Sequence, residues 1–136
     1  MKHFLLLLLM VGFVACNQEK PKEAPVSIDT LLEQDRYEEA FAAISEMEDG
    51  PETSLLKEKA HLNYGLFLEY RDSDVTNMRD KMNGALAQYV EVLKINKDNE
   101  KAISEIEQIL GIYSTFPDRS PDEAIVEELK ALGFSL

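Results

Sequence analysis

The chain is poor in the residues that most often carry catalysis and metal binding. Among its 136 residues there are one cysteine and two histidines. Cys16, as the only cysteine, can form no disulfide within the chain. His3 lies in the N-terminal segment that is expected to be removed as a signal peptide, so His61 is the only histidine of the remaining chain. No neighbour in the sequence completes a metal site or an acid-base pair with His61. The sequence therefore predicts no metal site, and His61 is expected to pack between helices.

Motifs for phosphate binding and nucleophilic catalysis are also missing. The chain has no Gly-rich phosphate loop and no Gly-x-Ser-x-Gly elbow. The segment Asp72-Ser73-Asp74 begins like a calcium-binding loop, but Asn77 stands where that loop needs glycine, and Asn83 where it needs a bidentate glutamate. We therefore predict that the protein is not an enzyme and has no cofactor.

Positively charged residues are scarce relative to acidic ones. The chain has 14 Lys and Arg against 26 Asp and Glu, which gives a formal net charge of −12. Because recognition of a phosphate backbone needs clustered basic residues, we predict that nucleic acid is not a partner. We interpret the acidic residues as a solvated surface that keeps the protein soluble. The alternative is that they bind a basic partner or capture a cation.

No apolar stretch is long enough to span a membrane. The longest runs from Phe4 to Cys16 and falls short of the about 20 residues that a membrane-spanning helix needs. It follows a short positive start at Lys2, and this order is typical of a secretory signal peptide. We therefore predict a signal peptide over residues 1–15.

The end of this segment, Phe13-Val14-Ala15-Cys16, resembles the lipobox of bacterial lipoproteins. The resemblance covers four positions, with Phe13 in place of the usual leucine. It implies cleavage before Cys16, a diacylglycerol on the cysteine sulfur and acylation of the freed amine. Two or three acyl chains would anchor the protein stably, since each buried CH₂ contributes about 0.8 kcal/mol. The alternative is an ordinary secretory signal with an incidental cysteine.

The residues after Cys16 indicate a tether and a destination. Residues 17–27 are polar and are interrupted by Pro21 and Pro25. We predict that residues 16–27 form a flexible tether that keeps the folded part within about 40 Å of the lipid surface. The resemblance to lipoproteins of double-membraned bacteria implies, with Asn17 rather than aspartate after the cysteine, delivery to the outer membrane. The expected location is the bacterial cell envelope, with the protein facing the periplasm.

Residues 28–136 have the apolar spacing of amphipathic helices. Six helices are predicted. They are a short one at Ile28–Leu32, one that stops at Asp49-Gly50-Pro51, one at Leu55–Tyr70, one that extends back from Gly84 through Met82 and Met78, one capped by Asp98 or Asn99, and a last one that starts at Ser120.

Local signals mark several of the helix ends. Asp35 with Glu38 three residues later predicts a capping box at the second helix. Ser120 before Pro121 predicts a cap at the last helix. Gly133 is expected to end that helix in a left-handed turn, with the next residue packing back on the helix. The core face of the last helix is predicted to hold Ala124, Ile125, Leu129 and Leu132.

The clearest helical pattern lies in the fourth helix. Ala85, Tyr89, Val92 and Leu93 fall on one apolar face of a helix with 3.6 residues per turn. In the helix before it, Gly65 costs about 1 kcal/mol relative to alanine. The usual reason to keep such a glycine is that a neighbouring helix passes too close for a Cβ atom.

The segment Gly84–Asn99 combines an alanine, an aromatic residue, a Val-Leu pair and a polar turn, and it resembles the second helix and turn of a tetratricopeptide repeat. The marker alanines Ala40, Ala85 and Ala124 lie further apart than the about 34 residues of that repeat. The resemblance implies an all-α fold in which residues 28–136 form a short antiparallel stack of about three helix pairs. An irregular all-α bundle is the alternative.

In that family the first helix of each pair lines a binding groove. Asn63 and Lys101 fall where repeats that bind a peptide's C-terminal carboxylate keep an asparagine and a lysine, but Glu105 stands where an arginine is needed. Leu62, Leu66 and Tyr70 could equally be core residues. The candidate groove residues are Lys59, Leu62, Asn63, Leu66, Glu69 and Tyr70 on one helix and Lys101, Ser104, Gln108 and Ile112 on the next.

Together, the lipobox-like end and the repeat-like helices predict a lipid-anchored adaptor that faces the periplasm and binds a protein or peptide partner at the cell envelope. Membrane contact is expected through Cys16 alone. The alternative is a small helical ligand-binding or inhibitory lipoprotein, of the kind that shields its own cell from a toxin or enzyme, without a peptide groove.

Overall fold

A computed structural model of the chain describes residues 26–116 and 118–136, and every regular element within them is an α-helix. The predicted signal peptide, Cys16 and most of the predicted tether lie outside the described residues. The all-α class is confirmed. The helices are α1 (Ile28–Glu33), α2 (Tyr37–Ser45), α3 (Pro51–Tyr70), α4 (Met78–Ile95), α5 (Glu100–Ser114) and α6 (Glu123–Ala131).

Asparagine and serine side chains cap three of the helices. The Ser27 hydroxyl accepts from Thr30 N at 3.2 Å, and α1 therefore begins directly after the predicted tether. The Asn77 side chain accepts from Arg79 N at 2.9 Å at the start of α4. Asn99 caps α5 in the same way. The predicted extension of α4 back to Met78 and the predicted cap of α5 are confirmed.

The predicted capping box at α2 is wrong. Arg36 occupies the cap position and its side chain makes no capping hydrogen bond. Asp35 instead has a left-handed backbone, with φ of 58°. Its carboxylate accepts hydrogen bonds from Arg71 Nη2 at 2.8 Å and from the Tyr37 hydroxyl at 2.9 Å. A partner from the far end of α3 thus holds the carboxylate that the local pattern assigned to the helix start.

Two other helix starts also differ from the prediction. α3 begins at Pro51, earlier than the predicted Leu55, because proline suits the first turn of a helix. α6 begins at Glu123, and Asp122 rather than Ser120 occupies the cap position. Pro121 precedes that helix and is buried against the rest of the domain.

The end of α6 follows the prediction. Gly133 has a φ of 95°, Gly133 N donates to Lys130 O at 3.0 Å, and Phe134 N donates to Leu129 O at 3.0 Å. This pair of bonds is a Schellman motif, which satisfies the last carbonyls of the helix. Leu129 is fully buried. The predicted core position of Ala124 is wrong, since that residue is exposed.

The longest two helices, α3 and α4, form the most extensive helix pair of the described residues. Leu68 near the end of α3 lies against Gly84 near the start of α4. Glu58, early in α3, accepts a hydrogen bond from Asn96, directly after α4, at 2.8 Å. The order of contacts therefore reverses along the pair, and the two helices are antiparallel.

The buried side chains form two clusters. The larger one joins α4, α5 and α6 and contains the predicted apolar face of α4 together with Ile106, Ile109 and Leu129. Ala85, Tyr89 and Val92 are completely inaccessible, which confirms that face.

The smaller cluster joins α1, α2 and α3 and is rich in aromatic rings. Tyr37 stacks on Tyr64 with ring centroids 4.7 Å apart. His61 packs on Phe41 at 4.7 Å and its Nδ1 lies 2.9 Å from Gln88 Oε1 of α4. His61 therefore has the packing role that the sequence predicted.

Candidate functional site

The candidate groove helices α3 and α5 run in the same direction. Asn99, which caps α5, donates to Glu58 in the first half of α3 at 2.7 Å. The hydroxyl of Tyr70, the last residue of α3, donates to Glu105 further along α5 at 2.6 Å. Contacts thus occur in the same order along both helices. Helix α4, antiparallel to α3, supplies the core beneath them.

Glu105 is a buried carboxylate at the centre of this face, with only 3% of the residue exposed. It accepts the Tyr70 hydrogen bond and pairs with the ammonium of Lys101 one turn earlier in α5. Burial by itself raises the pKa of Glu105, but the hydrogen bonds from Lys101 and Tyr70 outweigh it, and the pKa lies below its ordinary value. A carboxylate therefore already neutralises the lysine that a carboxylate-binding repeat would offer to a peptide.

Glu69 is a second carboxylate of the same network. Its Oε2 accepts the hydroxyl of Tyr89 at 2.8 Å, and Oε1 accepts Gln108 Nε2 at 3.3 Å. Gln108 Nε2 also donates to the Tyr70 hydroxyl at 2.8 Å. Burial raises the pKa of Glu69, and the nearby charge of Glu105 acts in the same direction. The network thus places one carboxylate that ionises readily beside one that resists ionisation.

The tyrosine hydroxyls in this network are held protonated. Burial is the largest cause of the raised pKa of both Tyr70 and Tyr89, and hydrogen bonds to Glu105 and Glu69 add to it. A phenol that donates to a carboxylate must keep its proton, so both hydroxyls serve as fixed donors.

The predicted groove residues are only partly brought together. Glu69, Tyr70, Lys101 and Gln108 form one connected network, and Ser104 is exposed on the same face of α5. Leu62 and Leu66 are half-buried against the larger core cluster.

Lys59 and Asn63 have partners elsewhere. Lys59 pairs with Asp29 of α1 at 2.8 Å. The Asn63 side chain donates to the carbonyl of Lys59 in its own helix at 2.8 Å, and the Asn63 carbonyl accepts from Tyr37. Asn63 and Lys101 therefore do not share one set of contacts, as a carboxylate clamp would require.

Ile112 belongs to a different place. It lines a cleft at the end of the domain where α4 begins and α5 finishes, together with Met78, Met82 and Phe116. The sequence reasoning missed this cleft. The sequence signal for it is Phe116, an apolar residue that follows the last turn of α5. It therefore lies outside the apolar helix face that the spacing of residues predicts to be buried.

The described residues hold few features that identify a class of protein. Within residues 26–116 and 118–136 no three His, Cys, Asp or Glu side chains are grouped so as to hold a metal ion. In the same part of the chain, no helix combines the length and the apolar character that a membrane crossing needs. Comparisons with protein families, with curated proteins and with solved structures found no match. The structure itself defines an all-helical domain with a hydrogen-bonded face between two parallel helices.

Proposed function

We propose that the protein is a lipid-anchored helical-repeat adaptor that faces the periplasm and binds a protein or peptide segment on the face formed by α3 and α5. The anchor is assigned to Cys16 from the lipobox-like sequence before it. The observation that carries the binding role is the state of Tyr70, whose residue surface is 55% exposed while its hydroxyl is fixed by Glu105 and Gln108. Aromatic residues that are accessible and already ordered are favoured anchors of protein interfaces.

The helix directions support a tetratricopeptide-like stack. Helices α3 and α5 are parallel, and α4 is antiparallel to α3. Helices α4 and α6 are also parallel, since Arg79 pairs with Asp122 at 2.7 Å and Lys94 with Glu128 at 2.8 Å. This alternation is what the helix pairs α3–α4 and α5–α6 would give if stacked as repeats, with α3 and α5 on one side and α4 and α6 on the other.

The chemistry of the face favours a partner segment with basic side chains. The Tyr70 hydroxyl donates to Glu105 and accepts from Gln108, which also donates to Glu69, and the chain as a whole carries a net charge of −12. Ser104 and Gln108 add exposed polar atoms beside them. A cation over the Tyr70 ring would gain from the ring face and from the net negative charge of the chain.

Site-specific photocrosslinking in cells tests this proposal. A photoreactive amino acid at Ser104 reports on the proposed face, and the same group at exposed Glu127 of α6 is the matched control. We expect one reproducible protein adduct from position 104 that is absent from position 127 and is lost in Tyr70→Ala. Equal or absent adducts at the two positions would count against a binding face between α3 and α5.

A second candidate is a small helical ligand-binding or inhibitory lipoprotein that shields its own cell. The observation that favours it is that Leu62 and Leu66 are half-buried against the larger core cluster, which leaves less open apolar surface between α3 and α5. The crosslinking experiment separates the two candidates, since an inhibitory protein would form its adduct with an incoming toxin or enzyme rather than with a resident envelope protein.

A further inference from the structure

Three exposed apolar side chains meet at one end of the domain. Met78 is 62% exposed, Phe116 is 48% exposed and Ile112 is 36% exposed, and all three line the same cleft. Met82 forms its floor, and the cleft encloses about 410 Å³. Solvated apolar patches of this kind on a soluble domain mark interaction sites.

The charged side chains that line this cleft are both basic. Arg79 and Arg119 both line it, although the chain carries a net charge of −12. Arg79 is held in place by Asp122 at 2.7 Å. The guanidinium of Arg119 lies over the Phe116 ring, 5.5 Å from its centroid. A guanidinium over a ring can still use the N–H donors at its edge for hydrogen bonds.

We propose that this end cleft docks a protein segment in which one large apolar side chain is flanked by carboxylates. The apolar side chain would occupy the space between Met78, Met82 and Ile112, whose volume falls in the range of ligand pockets. Methionine side chains adapt their shape to the group that enters. A flanking carboxylate would accept from the edge of the Arg119 guanidinium, in the bidentate geometry that arginine favours.

The shape and charge of the cleft favour a protein segment over a membrane surface. The apolar side chains line a concavity, whereas a patch that inserts into lipid must protrude beyond its surroundings. The acidic domain around it is also repelled by anionic lipid headgroups. A single carboxylate at the rim of the cleft avoids that repulsion, because it meets Arg119 and little of the remaining surface.

Methyl resonances of the methionines report directly on this cleft. The full chain is labelled with ¹³C at the methionine methyl groups and reconstituted in phosphatidylcholine nanodiscs. It is titrated with the synthetic peptides acetyl-Glu-Glu-Leu-Phe-Glu-Glu-amide and acetyl-Lys-Lys-Leu-Phe-Lys-Lys-amide. Met78 and Met82 line the cleft, and Met47, which follows α2, is the internal control. We expect the acidic peptide to shift Met78 and Met82 saturably, with Met47 unchanged and with the basic peptide at least about tenfold weaker.

Two substitutions and a matched control test the assigned contacts. Arg119→Glu is expected to weaken binding of the acidic peptide about tenfold, and Arg119→Lys to retain most of it. Leu55→Ser, which removes an apolar side chain that is 66% exposed on α3, is expected to leave binding unchanged. All of these side chains are exposed, so their replacement leaves the buried clusters intact.

Three results would overturn the proposal. They are the absence of any shift of Met78 and Met82, equal or tighter binding of the basic peptide, and a shift of the two methionines when phosphatidylglycerol is added to the nanodiscs without peptide. The last result would assign the patch to the membrane. None of these measurements depends on the face between α3 and α5, so the two proposals fail or succeed separately.

Discussion

Gly65 of α3 lies directly against the ring of Tyr89 of α4. A Cβ atom built on Gly65 would stand 2.5 Å from Tyr89 Cε1 and 2.8 Å from Cδ1. Tyr89 cannot move aside freely, because it is completely buried and its hydroxyl is bound by Glu69. The glycine thus leaves room for the ring of Tyr89 between α3 and α4, and the Tyr89 hydroxyl connects this contact to Glu69 and the network on the face above.

We expect Gly65→Ala to destabilise the protein. Overpacking a core contact costs about 1–3 kcal/mol, and only about 1 kcal/mol of that is recovered from the better helix propensity of alanine. Urea unfolding followed by circular dichroism measures the difference. The Tyr70 hydroxyl network should also loosen, because Tyr89 and Glu69 must shift together.

Gly111 provides the control for this prediction. It also lies within a helix, but it is exposed and a Cβ atom there would have no neighbour within 4 Å. Gly111→Ala should therefore stabilise the protein by up to about 1 kcal/mol. If both alanine variants raised stability alike, the close contact between Gly65 and Tyr89 would be refuted.

Local sequence chemistry was enough to predict several features that depend on one helix alone. The face of α4 follows from the helical period, and the cap at Asn99 and the turn at Gly133 follow from side-chain and backbone preferences within a few residues. The start of α2 was mispredicted because Arg71, distant in sequence, binds Asp35. Such long-range competition has no local signature.

The candidate site was predictable only in part for the same reason. The resemblance to the repeat family placed Glu69, Tyr70, Lys101 and Gln108 on the groove faces of two helices, but their connection depends on how α3 and α5 cross. Ile112 was assigned to the same predicted face, but it lies near the end of α5 and lines the end cleft. The periodicity of a helix defines which residues share a face and leaves open what that face meets.

The two carboxylates of the network should give opposite pH dependences of stability. Burial raises the pKa of Glu69 above the ordinary value of 4.5, so its ionised form is disfavoured in the folded protein. The contribution of Glu69 to the free energy of unfolding is therefore fully favourable below pH 4.5, and it is lost as the pH rises through the pKa of the folded state. Glu69→Gln, whose amide oxygen can still accept from Tyr89, should gain stability relative to the parent protein as the pH rises above 4.5.

Glu105 should behave in the reverse way. Although burial acts against it, hydrogen bonds from Lys101 and Tyr70 lower its pKa below 4.5. The contribution of ionised Glu105 to the free energy of unfolding is present above pH 4.5, and it is lost as the pH falls through the pKa of the folded state. Glu105→Gln should therefore be most destabilising near neutral pH and lose that effect in acid. Urea unfolding of both variants across this range checks the signs, and parallel pH profiles would contradict the assignment.

The position with left-handed backbone at the end of α6 should accept glycine better than other residues. Gly133 has a φ of 95°, where an L-residue is strained. Gly133→Ala should cost about 1 kcal/mol, and Gly133→Asn less, since asparagine tolerates this region. Gly50→Ala is the matched control, because the φ of Gly50 is 179°, which any residue adopts. Equal unfolding free energies for the Gly133 and Gly50 alanine variants would contradict the Schellman motif.

Fatty-acid labelling tests the anchor, which rests on the sequence before Cys16. Cells that produce the protein are grown with radiolabelled palmitate, and we expect label in the parent protein but none in Cys16→Ser. The same substitution should move the protein out of the membrane fraction, since two or three acyl chains provide nearly all of its expected membrane affinity. Phe13→Leu restores the usual lipobox residue and should label at least as well as the parent. Label that persists in Cys16→Ser would refute the lipid anchor, while the contacts among α3, α4 and α5 would stand unchanged.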